Sequence, residues 1–217
     1  MKKYKSTVIV TIVITLLPIL AGLILWDSLP DRIATHWGAD GQVNGWSGKA
    51  SAVFTMPCIL AVMQLIVSVI TLNDPKRRNI HRKPLTLVLW IVPVMSLIVN
   101  GIIYAIALGA DINVEVIISI LIGVLFIALG NYMPKLQQNY TVGIRVPWTL
   151  TSAENWSRTH RLGGKMFILG GVLLIIVGCL GNILGDDGVL AALLIIVFIC
   201  AGIPTGYSFW LYKKKGI

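Results

Sequence analysis

One polar stretch of the chain, residues 130–165, holds most of the side chains that could bind a partner or do chemistry. The candidates are Arg145, Trp148, Trp156, His160 and Arg161. Gly143 and Pro147 bracket the arginine, which predicts an extended or turned segment that presents it rigidly. Two interpretations are equally open: this arginine- and tryptophan-rich turn binds a partner, or it anchors the chain at a membrane interface.

A helix is expected to begin inside this stretch, near Ser152. Thr151 followed by Glu154 fits a capping box, in which a hydroxyl and a carboxylate satisfy N–H groups of the first helical turn. On such a helix Trp156 and His160 are four residues apart and therefore share a face. The helix should continue towards the next apolar segment.

A second polar stretch, residues 27–50, is predicted to form a small β-hairpin. Residues 32–37 alternate roughly as a strand does. The turn signals are the dipeptides Asp40-Gly41 and Asn44-Gly45. The tryptophans of the region are Trp26, Trp37 and Trp46. Their amphipathic rings suit a membrane interface, and the alternative is a binding surface for something that arrives from outside.

Neither stretch contains a set of residues typical of catalysis. The sequence has no Ser-His-Asp set, no HExxH helix and no glycine-rich phosphate loop. His36 has no second His or Cys near it, whereas zinc needs three or four protein ligands. The three cysteines lie in apolar runs without a CxxC pair, which is typical of buried apolar side chains. The sequence therefore predicts no enzyme, no cofactor and no metal site.

Six long apolar runs must position these polar stretches. Of the 217 residues 56% are hydrophobic and 12% are charged, too few charges for the surface of a soluble domain of this size. A helix of about 20 apolar residues crosses a hydrocarbon core about 30 Å thick. We therefore predict an all-α integral membrane protein with six transmembrane helices. The spans are at about 6–26, 51–72, 85–108, 115–133, 163–183 and 189–211, with a tight turn at 185–188.

The charged residues separate across these six spans. If the N-terminus is cytoplasmic, every one of the 18 basic residues except Arg32 and Lys49 lies on the cytoplasmic side. Every one of the nine acidic residues except Asp74 and Glu154 lies outside. The positive-inside rule then predicts that both termini are cytoplasmic and that the hairpin after the first helix is extracytoplasmic.

Few polar residues interrupt the spans. Gln64 and Asn100 lie near mid-span and are expected to form hydrogen bonds between helices. The absence of charged residues at that depth argues against proton-coupled transport, although a small-molecule or peptide transporter stays open as the alternative function. Gly164, Gly171 and Gly178 recur every seven residues, which predicts a smooth face for close helix packing, either within the chain or between chains.

The two polar stretches also resemble segments of a known family, the SdpI-type immunity proteins. The motif here comprises Gly130, Asn131, Gly143, Ile144, Arg145, Val146, Pro147, Trp148, Thr149, Leu150, Trp156, Thr159, His160, Arg161 and Gly164. The usual form of the motif has Thr at the position of Val146. The outer stretch is similar to a small N-terminal domain of unknown function that often precedes the motif. Its matching residues are Leu29, Pro30, Ile33, His36, Trp37, Gly41, Gly45 and Trp46.

The resemblance implies a division of the chain into two modules. Residues 1–72 would form an N-terminal two-helix unit with the extracytoplasmic loop 27–50. Residues 85–217 would form a four-helix SdpI-like module with the cytoplasmic motif loop 134–162.

The resemblance also implies a function. Proteins of this type are multi-pass proteins of the bacterial plasma membrane that give resistance to a secreted toxic peptide. The founding member is in addition a sensor that holds a cytoplasmic transcriptional repressor at the membrane. The implied partners are thus the lipid bilayer, the toxic peptide and the repressor, with no direct contact to nucleic acid.

The implied sites lie in both stretches. The partner-binding residues would be Asn131, Gly143, Arg145, Pro147, Trp148, Thr149, Trp156, His160 and Arg161. The toxin-facing residues would be Pro30, His36, Trp37 and Trp46. Because the toxin attacks from outside while the more specific motif faces the cytoplasm, we expect the hairpin and helix bundle to engage toxin and the motif to bind the inner partner.

Overall fold

A computed structural model describes residues 4–38 and 41–216, except for the side chains of Asn182 and Asp186. Lys2 and Lys3, assigned to the cytoplasmic side, and Asp40 of the first turn dipeptide lie outside the described residues. The helices are α1 (Lys5–Ile24), α2 (Lys49–Leu72), α3 (Arg82–Ala107), α4 (Val114–Tyr132), α5 (Pro147–Thr151), α6 (Ala153–Cys179) and α7 (Gly181–Lys215). The strands β1 (Arg32–Trp37) and β2 (Val43–Gly48) lie between α1 and α2.

The prediction of six membrane-spanning helices is confirmed, since α1–α4, α6 and α7 are each long and apolar enough to cross a membrane. A helix is the form expected there because backbone groups in hydrocarbon must hydrogen-bond within their own segment. Large apolar side chains point outward from these helices, and Ile24 and Phe198 are 84% and 73% exposed. Such outward apolar surface suits contact with lipid.

The boundaries of the last two spans differ from the sequence prediction. The helix α6 begins at Ala153, well before residue 163, because its polar first turns continue without a break into the apolar part. The predicted tight turn at 185–188 is a single break at Gly185, which has φ +68° and ψ 169°. Helical geometry resumes at once, and the last span runs over Asp187–Lys215.

The chain folds into two compact units. The first comprises Met1–Asn73 and Leu85–Ile112, and the second comprises Asp74–Pro84 and Asn113–Ile217. In the first unit the hairpin packs on the helices through a buried apolar cluster. Its members are Leu29, Ile33, Ala52, Val53, Ile103 and Tyr104.

Buried hydrogen bonds tie α3 to the other helices of the first unit. The Gln64 amide donates to Thr11 Oγ1 of α1 and to the carbonyl of Leu89 in α3, both at 2.9 Å. The interhelical role predicted for Gln64 is thus confirmed. Asn100 differs, because its amide donates to the carbonyl of Ser96 in its own helix. Ser96 in turn donates to the carbonyl of Thr15 in α1 at 2.8 Å.

The α3 bonds explain why the compact units do not follow the predicted modules. The modules predicted from the sequence are separated between residues 72 and 85, so that α3 falls in the C-terminal module. In the structure α3 packs with α1 and α2, while the α2–α3 connection, Asp74–Pro84, belongs to the second unit. The module boundary therefore stays a prediction about sequence relationships.

The hairpin forms where the alternation of residues 32–37 predicts it. The strands β1 and β2 are antiparallel, with a register shift between Ala34 and His36. Asn44-Gly45 is not a turn, contrary to the sequence prediction, but lies inside β2. Asn44 Oδ1 accepts a hydrogen bond from His36 Nδ1 across the ladder. Gly45 is needed there, because a Cβ at this position would lie 2.7 Å from that of His36.

The second unit is held together by a close contact between α4 and α6. A Cβ added to Gly123 would lie 2.6 Å from the carbonyl oxygen of Gly171, and one added to Gly130 would lie 2.7 Å from that of Gly164. The helices therefore touch backbone to backbone at two points. Gly178 extends the stripe, since a Cβ there would lie 2.8 Å from Cγ1 of Ile120. The predicted glycine face thus packs within the chain.

Candidate functional site

The centre of the candidate site is a turn at residues 139–142 in the second unit. Asn139 is fully buried, and its Oδ1 accepts hydrogen bonds from the backbone N–H groups of Thr141 and Val142 at 3.0 and 2.7 Å. Its amide donates to the carbonyls of Gln137 and Val142. An asparagine used in this way closes a turn on its own side chain. The turn therefore has a fixed conformation.

The connection between α2 and α3 holds the same turn from the other side. Asp74 is buried, and its Oδ2 accepts from the N–H of Tyr140 at 2.9 Å and from Thr141 Oγ1 at 2.8 Å. Its Oδ1 accepts from the N–H of Lys76 at 2.7 Å. Hydrogen bonds to an ionised carboxylate are stronger than those between neutral groups, so this contact fixes the turn firmly.

Gln138 joins this connection to α5. Its Oε1 accepts from Lys76 Nζ at 2.8 Å, and its backbone carbonyl accepts from Asn79 Nδ2 at 2.7 Å. Its side-chain amide donates to the carbonyls of Thr149 and Leu150 at 2.9 and 2.8 Å. One glutamine thus links residues 76–79 to the short helix α5.

His160 holds the segment that follows the turn. Its Nε2 accepts a hydrogen bond from the N–H of Ile144 at 2.9 Å, and its Nδ1 donates to the carbonyl of Trp156 at 2.8 Å. The ring is therefore neutral, with its proton on Nδ1. It stacks on Trp156 at a centroid distance of 4.0 Å, and Trp156 Nε1 donates to the carbonyl of Leu136. The predicted shared face of these two residues is confirmed, and both are buried.

Gly143 makes the approach to His160 sterically feasible. Its φ is +118°, in the region that favours glycine, and a Cβ at this position would collide with Nε2 of His160. A glycine is thus required here both by the backbone conformation and by lack of space.

The helix α5 is organised by Thr149 and Pro147. Thr149 Oγ1 accepts from the N–H of Val146 at 3.0 Å and lies 2.9 Å from the carbonyl of Ile144, to which it can donate. Pro147 is the first residue of the helix, where its missing N–H costs nothing. Trp148 packs on two aromatic rings of α7, those of Phe209 and Tyr212, at 5.2 and 6.0 Å.

The cap of α6 differs in one detail from the sequence prediction. The helix begins where expected, but the capping hydroxyl is that of Ser152, whose Oγ accepts from the N–H of Asn155 at 3.2 Å. Thr151 instead turns back and donates to the carbonyl of Pro147 in α5. Glu154 forms an ion pair with Arg158 one turn later.

Five of the nine residues predicted for this site are exposed: Asn131, Gly143, Arg145, Pro147 and Arg161. Arg145 is exposed, and its guanidinium donates to the carbonyl of Tyr140 at 2.7 Å, so the fixed turn sets its position. Arg161 and Asn131 are also exposed, and neither is among the residues that build the turn. Of the predicted set, Thr149, Trp156 and His160 are thus buried in the scaffold, and Arg145 is an exposed side chain that this scaffold positions.

Three scaffold residues were not among the predicted site residues: Asp74, Gln138 and Asn139. A signal existed for Asp74, since it is one of only two acidic residues on the strongly basic side of the predicted topology. Gln138 and Asn139 carry no comparable signal, because amide side chains are common in loops.

The hairpin carries the other predicted set. Pro30 and His36 are exposed and Trp46 is 54% exposed, whereas Trp37 is partly buried against the apolar cluster of the first unit. Lys49 Nζ donates to the carbonyl of Trp26, which fixes the base of the hairpin. Three of the four residues are thus available to a binding partner. Within the described part of the chain, no three His, Cys, Asp or Glu residues are grouped to hold a metal ion.

Two segments of the chain match family models, and one known protein can be aligned with almost the whole chain. Residues 135–208 match the SdpI/YfhL protein family, and residues 13–61 match a domain of unknown function, DUF1648. The chain is 24% identical over 210 residues to the Immunity protein SdpI of Bacillus subtilis (strain 168). The aligned region covers 95% of this chain and 96% of that protein. No solved structure matches the chain.

Proposed function

We propose that this chain, whose residues 135–208 match the SdpI/YfhL protein family, is a membrane immunity protein that protects a bacterium from a secreted toxic peptide. The observation that carries the proposal is the similarity to the Immunity protein SdpI along almost the whole of both chains. The six membrane-spanning helices agree with it, and the chain is a multi-pass protein of a bacterial membrane.

The proposed topology has both termini in the cytoplasm. It is supported by the charges, because all but two of the 18 basic residues then lie on the cytoplasmic side. The hairpin is extracytoplasmic in this arrangement, and the motif turn with Arg145 is cytoplasmic. A single cysteine in place of Gly41, in a chain whose native cysteines are changed to serine, should react with a membrane-impermeant maleimide on intact cells. A cysteine in place of Arg145 should react only after permeabilisation.

The motif is proposed to bind a partner and not to catalyse a reaction. The polar groups of Asn139, Thr149 and His160 are used in hydrogen bonds that hold the backbone. Such a buried network suits a scaffold that presents a fixed surface. The group that it presents is the Arg145 guanidinium, whose planar array of N–H donors recognises carboxylates. The proposed partner is an acidic surface of a cytoplasmic transcriptional repressor.

The toxic peptide is proposed to meet the hairpin. Exposed Trp46 offers a large apolar ring with a hydrogen-bond donor, the kind of group that dominates binding energy at interfaces. Pro30 and His36 lie exposed in the same polar stretch.

Survival under toxin challenge tests the immunity function. The chain is expressed in a B. subtilis strain that lacks SdpI, membrane insertion is verified, and the cells are exposed to the secreted killing peptide of a toxin-producing sibling strain. We expect survival close to that of cells with SdpI restored. Death of cells that carry normal amounts of inserted protein would refute protection against this peptide.

A further inference from the structure

The α2–α3 connection occupies an unusual place in the fold. The chain leaves α2 at Leu72 and enters α3 at Arg82, and both helices belong for most of their length to the first compact unit. The connection itself, Asp74–Pro84, belongs to the second unit. A segment tied covalently to two helices of one unit therefore forms part of the scaffold of the other.

The contacts of this connection converge on the turn at residues 139–142, to which Arg145 is hydrogen-bonded. Asp74 fixes the backbone of Tyr140 and the hydroxyl of Thr141. Lys76 donates to Gln138, and its Nζ lies 5.0 Å from the centre of the Tyr140 ring. Tyr140 then provides the carbonyl that accepts from Arg145. Tyr140 thus connects the Asp74 carboxylate to the exposed Arg145 guanidinium by two hydrogen bonds, one from its N–H and one to its carbonyl.

We propose that Asp74 is a positioning residue for Arg145 and that Asp74–Pro84 is a latch through which α2 and α3 control the motif. With the latch closed, the turn is fixed and the arginine is presented to its partner. A displacement of α2 or α3 pulls on the ends of the connection and weakens the bonds of Asp74, so the turn becomes mobile and partner binding falls. The signalling part of this inference rests on the proposed function; the structural part does not.

A buried carboxylate is suited to this role. Its Oδ2 accepts hydrogen bonds from both Tyr140 and Thr141, so displacement of this one atom weakens both contacts with the turn. Opening of the connection costs the free energy of these charge-assisted bonds, which favours the closed arrangement. Coupling between distant sites requires an element with two arrangements, and the proposed latch would be that element.

Amide hydrogen exchange in lipid nanodiscs tests the positioning role without any toxin. Asp74→Ala should accelerate exchange of the backbone amides in residues 137–146 by about 10-fold or more, which corresponds to about 1.4 kcal/mol of lost protection. Thr141→Val, which removes one donor with little change of shape, should have a smaller effect in the same direction, and Thr141→Ser should restore protection. Asp111→Ala, at an exposed carboxylate of the first unit, is the matched control and should change nothing in this peptide. Unchanged exchange in Asp74→Ala would overturn the positioning role.

The coupling is tested by a double-mutant comparison. Gln64→Leu removes the bonds from α2 to α1 and α3. We expect it to accelerate exchange in residues 137–146 when Asp74 is present and to add nothing in the Asp74→Ala background, where the latch is already open. An equal acceleration in both backgrounds, or none in either, would overturn control through the latch.

The toxin assay separates this inference from the proposed function. If the wild-type chain protects cells, recruitment of the repressor to the membrane should fall by about 10-fold in Asp74→Ala at normal membrane abundance of the variant. Full recruitment by Asp74→Ala would overturn the signalling role of the latch. If the wild-type chain gives no resistance, the proposed function fails, whereas the exchange experiments still decide whether Asp74 positions the turn.

Discussion

The backbone N–H of Ile144 donates a 2.9 Å hydrogen bond to Nε2 of His160, sixteen residues further along the chain. This bond joins the exposed Arg145 turn to a buried ring on α6, and the ring is itself held by Trp156. A histidine with both nitrogens occupied in this way is a structural support. His160, which the sequence predicts as a partner-binding residue, thus determines the path of the backbone that precedes Arg145.

His160→Ala should therefore destabilise the second unit. It leaves the Ile144 N–H without its acceptor and removes a ring packed on Trp156, at a cost of about 3 kcal/mol. Unfolding of the purified protein in mixed micelles with increasing SDS measures the change. His36→Ala is the matched control, since that ring is exposed, and it should cost less than about 0.5 kcal/mol. Equal losses at the two histidines would contradict the support role.

Gly143→Ala should lower the free energy of unfolding by more than the positive φ of this residue alone explains. The new methyl group meets both an unfavourable backbone conformation and the Nε2 of His160, at a total cost of about 3 kcal/mol. Gly109→Ala separates the two effects, because Gly109 has φ +93° with no atom within 4 Å of the Cβ position. That control should lose only about 1 kcal/mol in the same SDS titration. A loss no larger at Gly143 than at Gly109 would argue against the close approach to His160.

Gly171→Ala should separate α4 from α6. Its Cβ would lie 2.5 Å from the carbonyl oxygen of Gly123, so the helices must move apart, at a cost of about 2 kcal/mol. Thermal unfolding in detergent should show a lower Tm. Gly202→Ala, in α7, meets nothing within 4 Å and should leave Tm unchanged or slightly raised. A Tm unaffected by Gly171→Ala would be inconsistent with backbone contact between these helices.

Trp46→Ala should reduce toxin resistance without affecting the fold. The ring is 54% exposed, so its removal leaves no large cavity, while a binding anchor is lost. The toxin concentration that halves survival should be about 10-fold lower, as expected for the loss of about 1.4 kcal/mol of binding energy. Trp210→Ala is the control, since that ring on α7 is 45% exposed and lies outside the hairpin. Similar sensitivity of both variants would exclude a specific role for the hairpin.

Arg145→Ala should leave toxin resistance intact and abolish induction through the repressor. The side chain is exposed and its only role in the proposed mechanism is to contact the cytoplasmic partner. Survival and a reporter of the repressed promoter are measured in the same cells, with Arg158→Ala, an exposed arginine paired with Glu154, as the control. Loss of resistance at normal membrane abundance would show that the two functions are not divided as proposed.

The sequence alone determined the membrane-spanning elements and the start of the hairpin. Hydropathy is a local property, and a helix that must satisfy its own backbone in lipid can be placed from about 20 consecutive residues. The motif around Arg145, Trp156 and His160 was identified in the same way, from residue types and short spacings. The shared face of Trp156 and His160 followed because residues four apart on a helix lie on the same side.

Other features depended on contacts between distant parts of the chain. Asn44-Gly45 has the composition of a turn, but pairing across the hairpin places it in a strand. The glycine stripe of α6 could have packed on any neighbour, and only the matching Gly123 and Gly130 of α4 decided that it packs within the chain.

The tertiary structure also decided which residues of the motif hold the backbone in place and which are exposed to a partner. Asp74 lies more than sixty residues before the turn that it holds, so no local pattern connects the two. Hydrogen-bond partners of buried polar groups are set by the packing of whole elements, because each group must find a partner wherever the fold leaves one. For this reason the sequence could locate the motif, while its division into a buried scaffold and an exposed arginine became visible only in three dimensions.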